Sequence, residues 1–282
     1  MNAPVITAAE FNIDELLLLQ KLLHVSAFPV VLEIRQPPHY FSDEGYALAE
    51  AEATESLTDK GVVADGECIQ ATVSQWIWVL QRPDVELAAR IWRDDTQMAI
   101  SVCRRGAQHV VAMRYQDLVT LQPLDDTAEV TSIAQVVAPV LAALGQAKVA
   151  EFEPINLLTS EAAAIDQRVA AGSDYAHELI NAGAAHTPAR LLSQALADRP
   201  QIWRSEIVAI EYVPGRQILS SAAVGIFDTP MGRIVAAPSL ALDGTRWSTL
   251  APGNNTRIVK STELVVETLP SRSWFAAAHR GV

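Results

Sequence analysis

One stretch of this chain is written twice. "TLQPLDDTAEVTSIAQVV" begins at Thr120, "TLAPGNNTRIVKSTELVV" begins at Thr249, and eight of eighteen positions agree with no gap at a constant offset of 129. The shared positions pair Thr120 with Thr249, Leu121 with Leu250, Pro123 with Pro252 and Val136-Val137 with Val265-Val266, among others. Common residues each make up about 7% of ordinary usage, so chance supplies roughly one or two matches. The pattern reads as an internal duplication. It restricts the chain to folds in which one unit is used twice, here as residues 1–150 and 151–282, an N-terminal and a C-terminal α+β subdomain.

The rest of the chain supports that frame. Half of the 282 residues are hydrophobic and 19% are charged, enough apolar material for a buried core. The net charge of −12 opposes phosphate backbones and anionic lipid, so neither nucleic acid nor membrane insertion is expected. The apolar stretch "LLLLQKLLHVSAFPVVLEI" is interrupted by Gln20, Lys21, His24 and Pro29 and is too broken for a membrane span of ~20 residues. "MNAPVITAAEFNIDE" carries no basic leader, and two cysteines are too few for a disulfide framework. A cytoplasmic setting follows as the expectation.

Periodicity and punctuation predict the elements. A short strand at 11–13 leads to a helix over "ELLLLQKLLH" with Asp14 as its cap. "FPVVLEI" at 28–34 is rich in β-branched residues and predicts a strand. Helices follow at 42–60, capped by Ser42 or Asp43 and closed by Gly61, and at 69–81, ending at Arg82-Pro83. Four strands at 85–92, 97–103, 109–114 and 118–121 have short connections and predict an antiparallel meander. Val130, Ile133, Val137, Val140, Leu141 and Leu144 share one face of a helix, with "DDT" ahead of it to cap it, as "NNT" does in the second copy.

The same order recurs after about residue 160. Two helices end in "LINAG" and "PARLLSQALAD", and Arg199-Pro200 repeats the earlier Arg-Pro pair. "WRSEIVAIEYV", "LSSAAVGIFD", "GRIVAAPS" and "RWSTLAP" predict four more strands, and "TRIVKSTELVVETL" a last helix. The second copy is longer by twelve residues between its Arg-Pro pair and the repeated stretch, which places extra length in the "YVPGRQ" and "LALDGT" turns.

The residues offer little chemistry. There is no phosphate-binding glycine pattern and no G-x-S-x-G elbow, and the six histidines never fall at metal-ligand spacing. No catalytic residue, metal site or cofactor is therefore expected. Cys103 beside Arg104 and Arg105 reads as an apolar filler at a strand end, and "CRRG" as a hairpin tip. Asp94-Asp95 and Asp125-Asp126 read as turn and capping acids. Trp76 and Trp78, two apart on a helix, cannot both enter one core. The competing reading is a small-molecule-binding or hydrolytic α+β enzyme with its site near Cys103 and His109. A third is a structural subunit hidden in a homo-oligomer.

Several segments carry a resemblance: "DELLLLQ", the helix end "QRPD", "VCRRGAQHVVAMR", "DTPMGRIVAAPS", "STLAPG" and "ETLPSRSWF". In order along nearly the whole chain, they resemble the EspG proteins, chaperones of mycobacterial ESX (type VII) secretion systems. The more specific part is the second-half pattern D-x-x-x-GR, then PG, then LP-x-x-x-W. The resemblance implies an α+β fold of two quasi-symmetric subdomains sharing a central antiparallel β-sheet flanked by helices. It implies a binding protein that holds a PE–PPE heterodimer by the apolar tip of the PPE subunit, free itself as a monomer or weak homodimer. The recognition surface would be a groove made by the central sheet, the loop between the family's second and third strands and the C-terminal helical bundle. On this chain that loop is Arg93, Asp94, Asp95, Thr96 and Gln97, shorter than in some relatives, and the strand positions are Glu206, Val208, Val224, Gly225 and Phe227. Gly225 would let a partner helix come close.

Overall fold

The computed structural model describes residues 6–125, 129–197, 202–241 and 243–276. β1 (Ala9–Asn12) runs straight into α1 (Ile13–Leu22). The cap is Asn12, not Asp14. The Asn12 carboxamide accepts from the Glu15 amide at 2.8 Å and Glu15 accepts from the Asn12 amide at 2.8 Å, a reciprocal box spelled out by "NIDE". α2 (Asp43–Asp59) starts under the Ser42 hydroxyl as expected, and Gly61 beyond its end takes φ +65°. A two-residue hairpin, β2 (Val63–Ala64) and β3 (Glu67–Cys68), precedes α3 (Ala71–Gln81).

The meander is β4 (Val85–Arg93), β5 (Thr96–Arg105), β6 (Gln108–Tyr115) and β7 (Leu118–Pro123), followed by α4 (Ile133–Leu144). The second half runs β8 (Ile155–Leu158), α5 (Thr159–Ala170), α6 (Tyr175–Asn181) and α7 (His186–Ala197). It continues through β9 (Trp203–Val213), β10 (Arg216–Leu219), β11 (Val224–Thr229), β12 (Gly232–Leu240), β13 (Arg246–Pro252) and α8 (Asn255–Val266).

All the long strands join one antiparallel sheet in the order β1-β7-β6-β5-β4-β9-β11-β12-β13-β8, with β10 also beside β9. The seam is β4 against β9, from Val85 opposite Glu211 to Trp92 opposite Arg204. Outward from it, both halves pass through the same series of elements: the strand after the helices, two further meander strands, the strand that leads to the last helix, and the opening strand at the edge. Neither β1 nor β8 was read as a pair of matching edges, because four residues carry almost no periodicity.

Alternation along the strands sorts the core into layers. Val85, Leu87, Ala89 and Ile91, with Ile100, Val102, Ile207 and Val235, face α4 and α8, which supply Val136, Val137, Val140, Ile258 and Val265. On the other face, Leu16, Leu19, Val73 and Ile77 cover one end of the sheet through Ala99, Cys103 and Val119, and Ile165, Leu179 and Leu192 cover the other through Ile155, Leu157 and Ile234. Each fully buried aliphatic side chain contributes about 1.5–3 kcal/mol before ordering entropy is subtracted. Trp76 is buried while Trp78 is 53% exposed, as two positions on opposite sides of a helix require.

Four expectations need correction. Residues 28–34 are not a strand: Val30–Leu32 forms a 3-10 turn and Glu33 takes φ +50°. The Arg114 guanidinium takes the carbonyls of Leu32 and Glu33 at 2.7 and 2.6 Å, acceptors a neighbouring strand would otherwise use. The first-copy helix is capped by Ser132 with Gln135, not by "DDT", of which Asp126 and Thr127 lie outside the described residues; Asn254 does cap α8. The 129 offset would set Ile133 opposite Thr262, yet α8 begins at Asn255, seven residues sooner; the shared positions Val136 and Val265, Val137 and Val266 stay at that offset and are buried in both copies. "LSSAAVGIFD" is broken at 220–223. There the Ser220 hydroxyl accepts from the Ala209 amide at 3.1 Å in place of a carbonyl, and its amide donates to Ala209 O at 2.7 Å. Most of the added length sits in this break and in the loop before β13, and β9 is itself longer than β4, while the turn within "YVPGRQ" is only Pro214-Gly215. Arg199-Pro200 lies outside the described residues.

Most of the resemblance-bearing motif is structural. Arg233 is 2% exposed, pairs with Asp228 (Nη2 to Oδ2, 2.8 Å) and donates to the carbonyls of Leu144 and Gly145 at the end of α4. Its own backbone takes up the link between the halves, since its amide donates to Lys148 O and its carbonyl accepts from Ala150 N and Gly253 N. Gly232 (φ +119°) and Gly253 leave the room this crossing needs. Trp274 is buried under α4 and α8.

Candidate functional site

The helices cover only the two ends of the sheet's second face, and between them the central strands stay open. A cleft of about 1120 Å³ lies there. Its floor is Trp92 and Arg204 from the seam strands, Phe227, Ala236, Ser248 and Leu250; its wall is α5 and α7, through Ala162, Asp166, Val169 and Leu196; Asp94 and Asp95 line its rim. Ala162, Asp166, Val169 and Ala170 recur at helical spacing, so one stripe of α5 faces the cleft. The surface is an apolar platform with polar groups at its margin, the usual build of a protein-recognition patch. Among the described residues, no cluster of histidine, cysteine and acidic side chains could hold a metal, and no helix is long and apolar enough to cross a membrane.

The β4–β5 turn is braced. Asp94 takes φ +50°, a conformation aspartate tolerates. The Thr96 hydroxyl donates to Arg93 O at 2.8 Å, Trp92 Nε1 donates to Gln97 Oε1 at 2.9 Å, and Trp203 Nε1 reaches Asp94 Oδ1 at 3.4 Å. Arg93 turns to the other face, where it lies 4.8 Å over the Trp203 ring and donates to the carbonyls of Ala143 and Leu144 at 3.0 and 2.7 Å. A guanidinium at a helix C-terminus meets the negative end of its dipole.

The ten residues named from the sequence are therefore divided. Asp94, Asp95 and Phe227 line the cleft. Glu206, Val208 and Gly225 share its face of the sheet, with Glu206 exposed and Val208 packed in part against the N-terminal helices. Thr96 and Gln97 hold the turn. Val224 is the exception: it is fully buried on the opposite face against α4 and α8 and can meet no partner. Gly225 opens no approach for a helix, because the ring of its own neighbour Phe227 covers the spot, 3.4 Å from where a Cβ would stand. Trp92 opens the loop "WRDDTQ" that the resemblance pointed to, while Arg204 and the α5 stripe were missed. The signal was present in the Ala162/Val169 spacing, but half of α5 is polar and alanine fills most of the rest.

The alternative site does not assemble. Cys103 faces the N-terminal helices, whereas His109, beside its partner position Val110, faces Trp274 across the sheet. Burial pushes the Cys103 thiol well up, and the neighbouring Glu86 adds to it. Glu86 is itself buried, accepting from Ser101 Oγ at 2.8 Å and from the Tyr212 hydroxyl, and burial raises its carboxyl pKa. Glu86 and Ser101 are fully buried, and the group satisfies itself.

The EspG family profile matches residues 12–262. The ESX-3 secretion-associated protein EspG3 of Mycolicibacterium smegmatis is 32% identical over 95% of this chain and 89% of its own. The ESX-1 secretion-associated protein EspG1 of Mycobacterium marinum is 29% identical over 97% and 92% respectively. Among solved structures, the Mycobacterium tuberculosis type VII secretion system chaperone EspG5, in complex with the PE25-PPE41 dimer, shares the fold: TM-score 0.77 at 20% identity, covering 96% of this chain and 99% of that one.

Proposed function

Because this chain belongs to the EspG family, we propose that it is a cytoplasmic, non-catalytic chaperone of an ESX secretion system. In this reading it holds a PE–PPE heterodimer through the PPE subunit, keeps it soluble and directs it to export. The observation that carries the reading is the open cleft over the sheet, where Phe227, Leu250 and Ala236 form an apolar floor beside the wall of α5 and α7. An exposed helical tip loses its unfavourable contact with water by covering such a floor, and the polar rim fixes its orientation. Supporting it, the one alternative site separates its two residues onto opposite sheet faces. The test is co-expression with the PE–PPE pairs of the source organism, followed by gel filtration. One pair forms an equimolar complex, and Phe227→Asp abolishes it while leaving the melting temperature within a few degrees. Failure of every pair to co-purify overturns the reading.

A further inference from the structure

The cleft is not electrically neutral. Its lining holds three carboxylates, Asp94, Asp95 and Asp166, against one guanidinium, Arg204. Asp94 and Asp95 are exposed at the tip of the β4–β5 turn, and among the described residues neither joins an ion pair. The cation next to them in sequence is spent elsewhere, since Arg93 stacks on Trp203 and caps α4 from the other face. The turn is also fixed before any partner arrives, by the Trp92–Gln97, Thr96–Arg93 and Trp203–Asp94 hydrogen bonds.

From this geometry we propose that the Asp94–Asp95 turn is a specificity element. It admits the helical partner whose apolar tip carries a lysine or arginine beside it, and it rejects partners with an acid there. The inference rests on the cleft being the PPE-binding site. A charge at the rim of an interface acts on encounter rate and partner choice more than on bulk affinity. Placing like charges together excludes a wrong partner at least as well as pairing opposite ones selects the right one. Because the turn is rigid, little ordering entropy is lost when a cation meets it. The chain's net charge of −12 draws basic surfaces in the same direction.

The test measures binding of the panel of PE–PPE heterodimers of the source organism, at low and high salt, to four proteins: wild type, Asp94→Asn/Asp95→Asn, Asp94→Lys/Asp95→Lys and Phe227→Asp. Asparagine keeps the acceptor for Trp203 and tolerates the left-handed φ, so the first double variant folds. It is expected to bind the cognate pair about tenfold more weakly at low salt, with a flatter salt dependence. The lysine pair loses the cognate complex and regains it when a basic residue at the partner's tip is changed to glutamate. Wild-type affinity and unchanged salt dependence in the asparagine variant overturn this inference alone, provided Phe227→Asp still abolishes the complex. No binding by wild type to any pair overturns the cleft reading and the inference together.

Discussion

Trp274 Nε1 donates a hydrogen bond to His109 Nε2 at 3.1 Å, tying the last described stretch of the chain to the first-half meander. That nitrogen must be unprotonated, so the proton sits on Nδ1, which meets Ala107 O at 3.2 Å. Burial holds the His109 pKa below its ordinary value, with the charge of Arg104 lowering it further. The unfolded chain takes a proton near pH 6.5 that the folded chain refuses, so stability is complete above about pH 6.5 and falls as pH drops through the folded pKa. Thermal melts from pH 8 to pH 5 should show this loss in wild type. His109→Gln, which keeps an acceptor for Trp274, should remove that part of the slope.

Glu86 acts in the opposite direction. Its raised pKa means that the folded chain keeps a proton the unfolded chain releases above about pH 4.5, so this group costs stability as pH rises. Glu86→Gln cannot ionise and should gain on wild type between pH 5 and pH 8, by up to about 1.4 kcal/mol per pH unit within the titration window. A gap between the two proteins that stays constant over this range would refute the assignment.

The glycines around Arg233 should be intolerant. A Cβ on Gly232 would stand 2.5 Å from Ala150 N, and one on Gly253 would stand 2.6 Å from Arg233 Cγ and 2.9 Å from its carbonyl carbon. Gly232→Ala and Gly253→Ala are each expected to cost about 2–3 kcal/mol in urea denaturation. Gly61→Ala, with a positive φ like that of Gly232 but open space around it, should cost about 1 kcal/mol.

The two cysteines should separate cleanly. Cys103 is fully buried with its thiol pKa raised, whereas Cys68 is half-buried beside Ser74. A thiol reagent should label one cysteine in the native protein and the second only in denaturant. Native labelling of Cys103→Ser equal to wild type would identify Cys68 as the reactive one.

Where a signal repeats along the chain, the sequence was legible. The meander β4–β7 and strands β9, β12 and β13 follow from alternation bounded by short polar turns, and their antiparallel order follows from the shortness of those turns. The duplicated stretch pointed to paired halves even though its helices start seven residues apart, because Val136, Val137 and Val140 and their counterparts Val265, Val266 and Leu269 keep the same offset and are all buried. What failed depended on distant partners. Val30 and Val31 look like strand residues until Arg114 claims the neighbouring carbonyls. Val224 and Phe227 sit three apart in one strand, and only the packing of α4 and α8 says which of them is core. The cleft itself is made by α5 and α7 standing over strands remote in sequence, so its wall could not be read from any single segment.

The β4–β9 seam has a mechanical consequence. Eight consecutive residue pairs weld the halves into one continuous sheet. The floor strands β9, β11, β12 and β13 follow one another in that sheet, so the floor of the cleft is a mould and not one jaw of a clamp. On such a floor, a partner's tip has to be shaped before it arrives, and its release has to come from a change in the partner or from a competitor for the cleft.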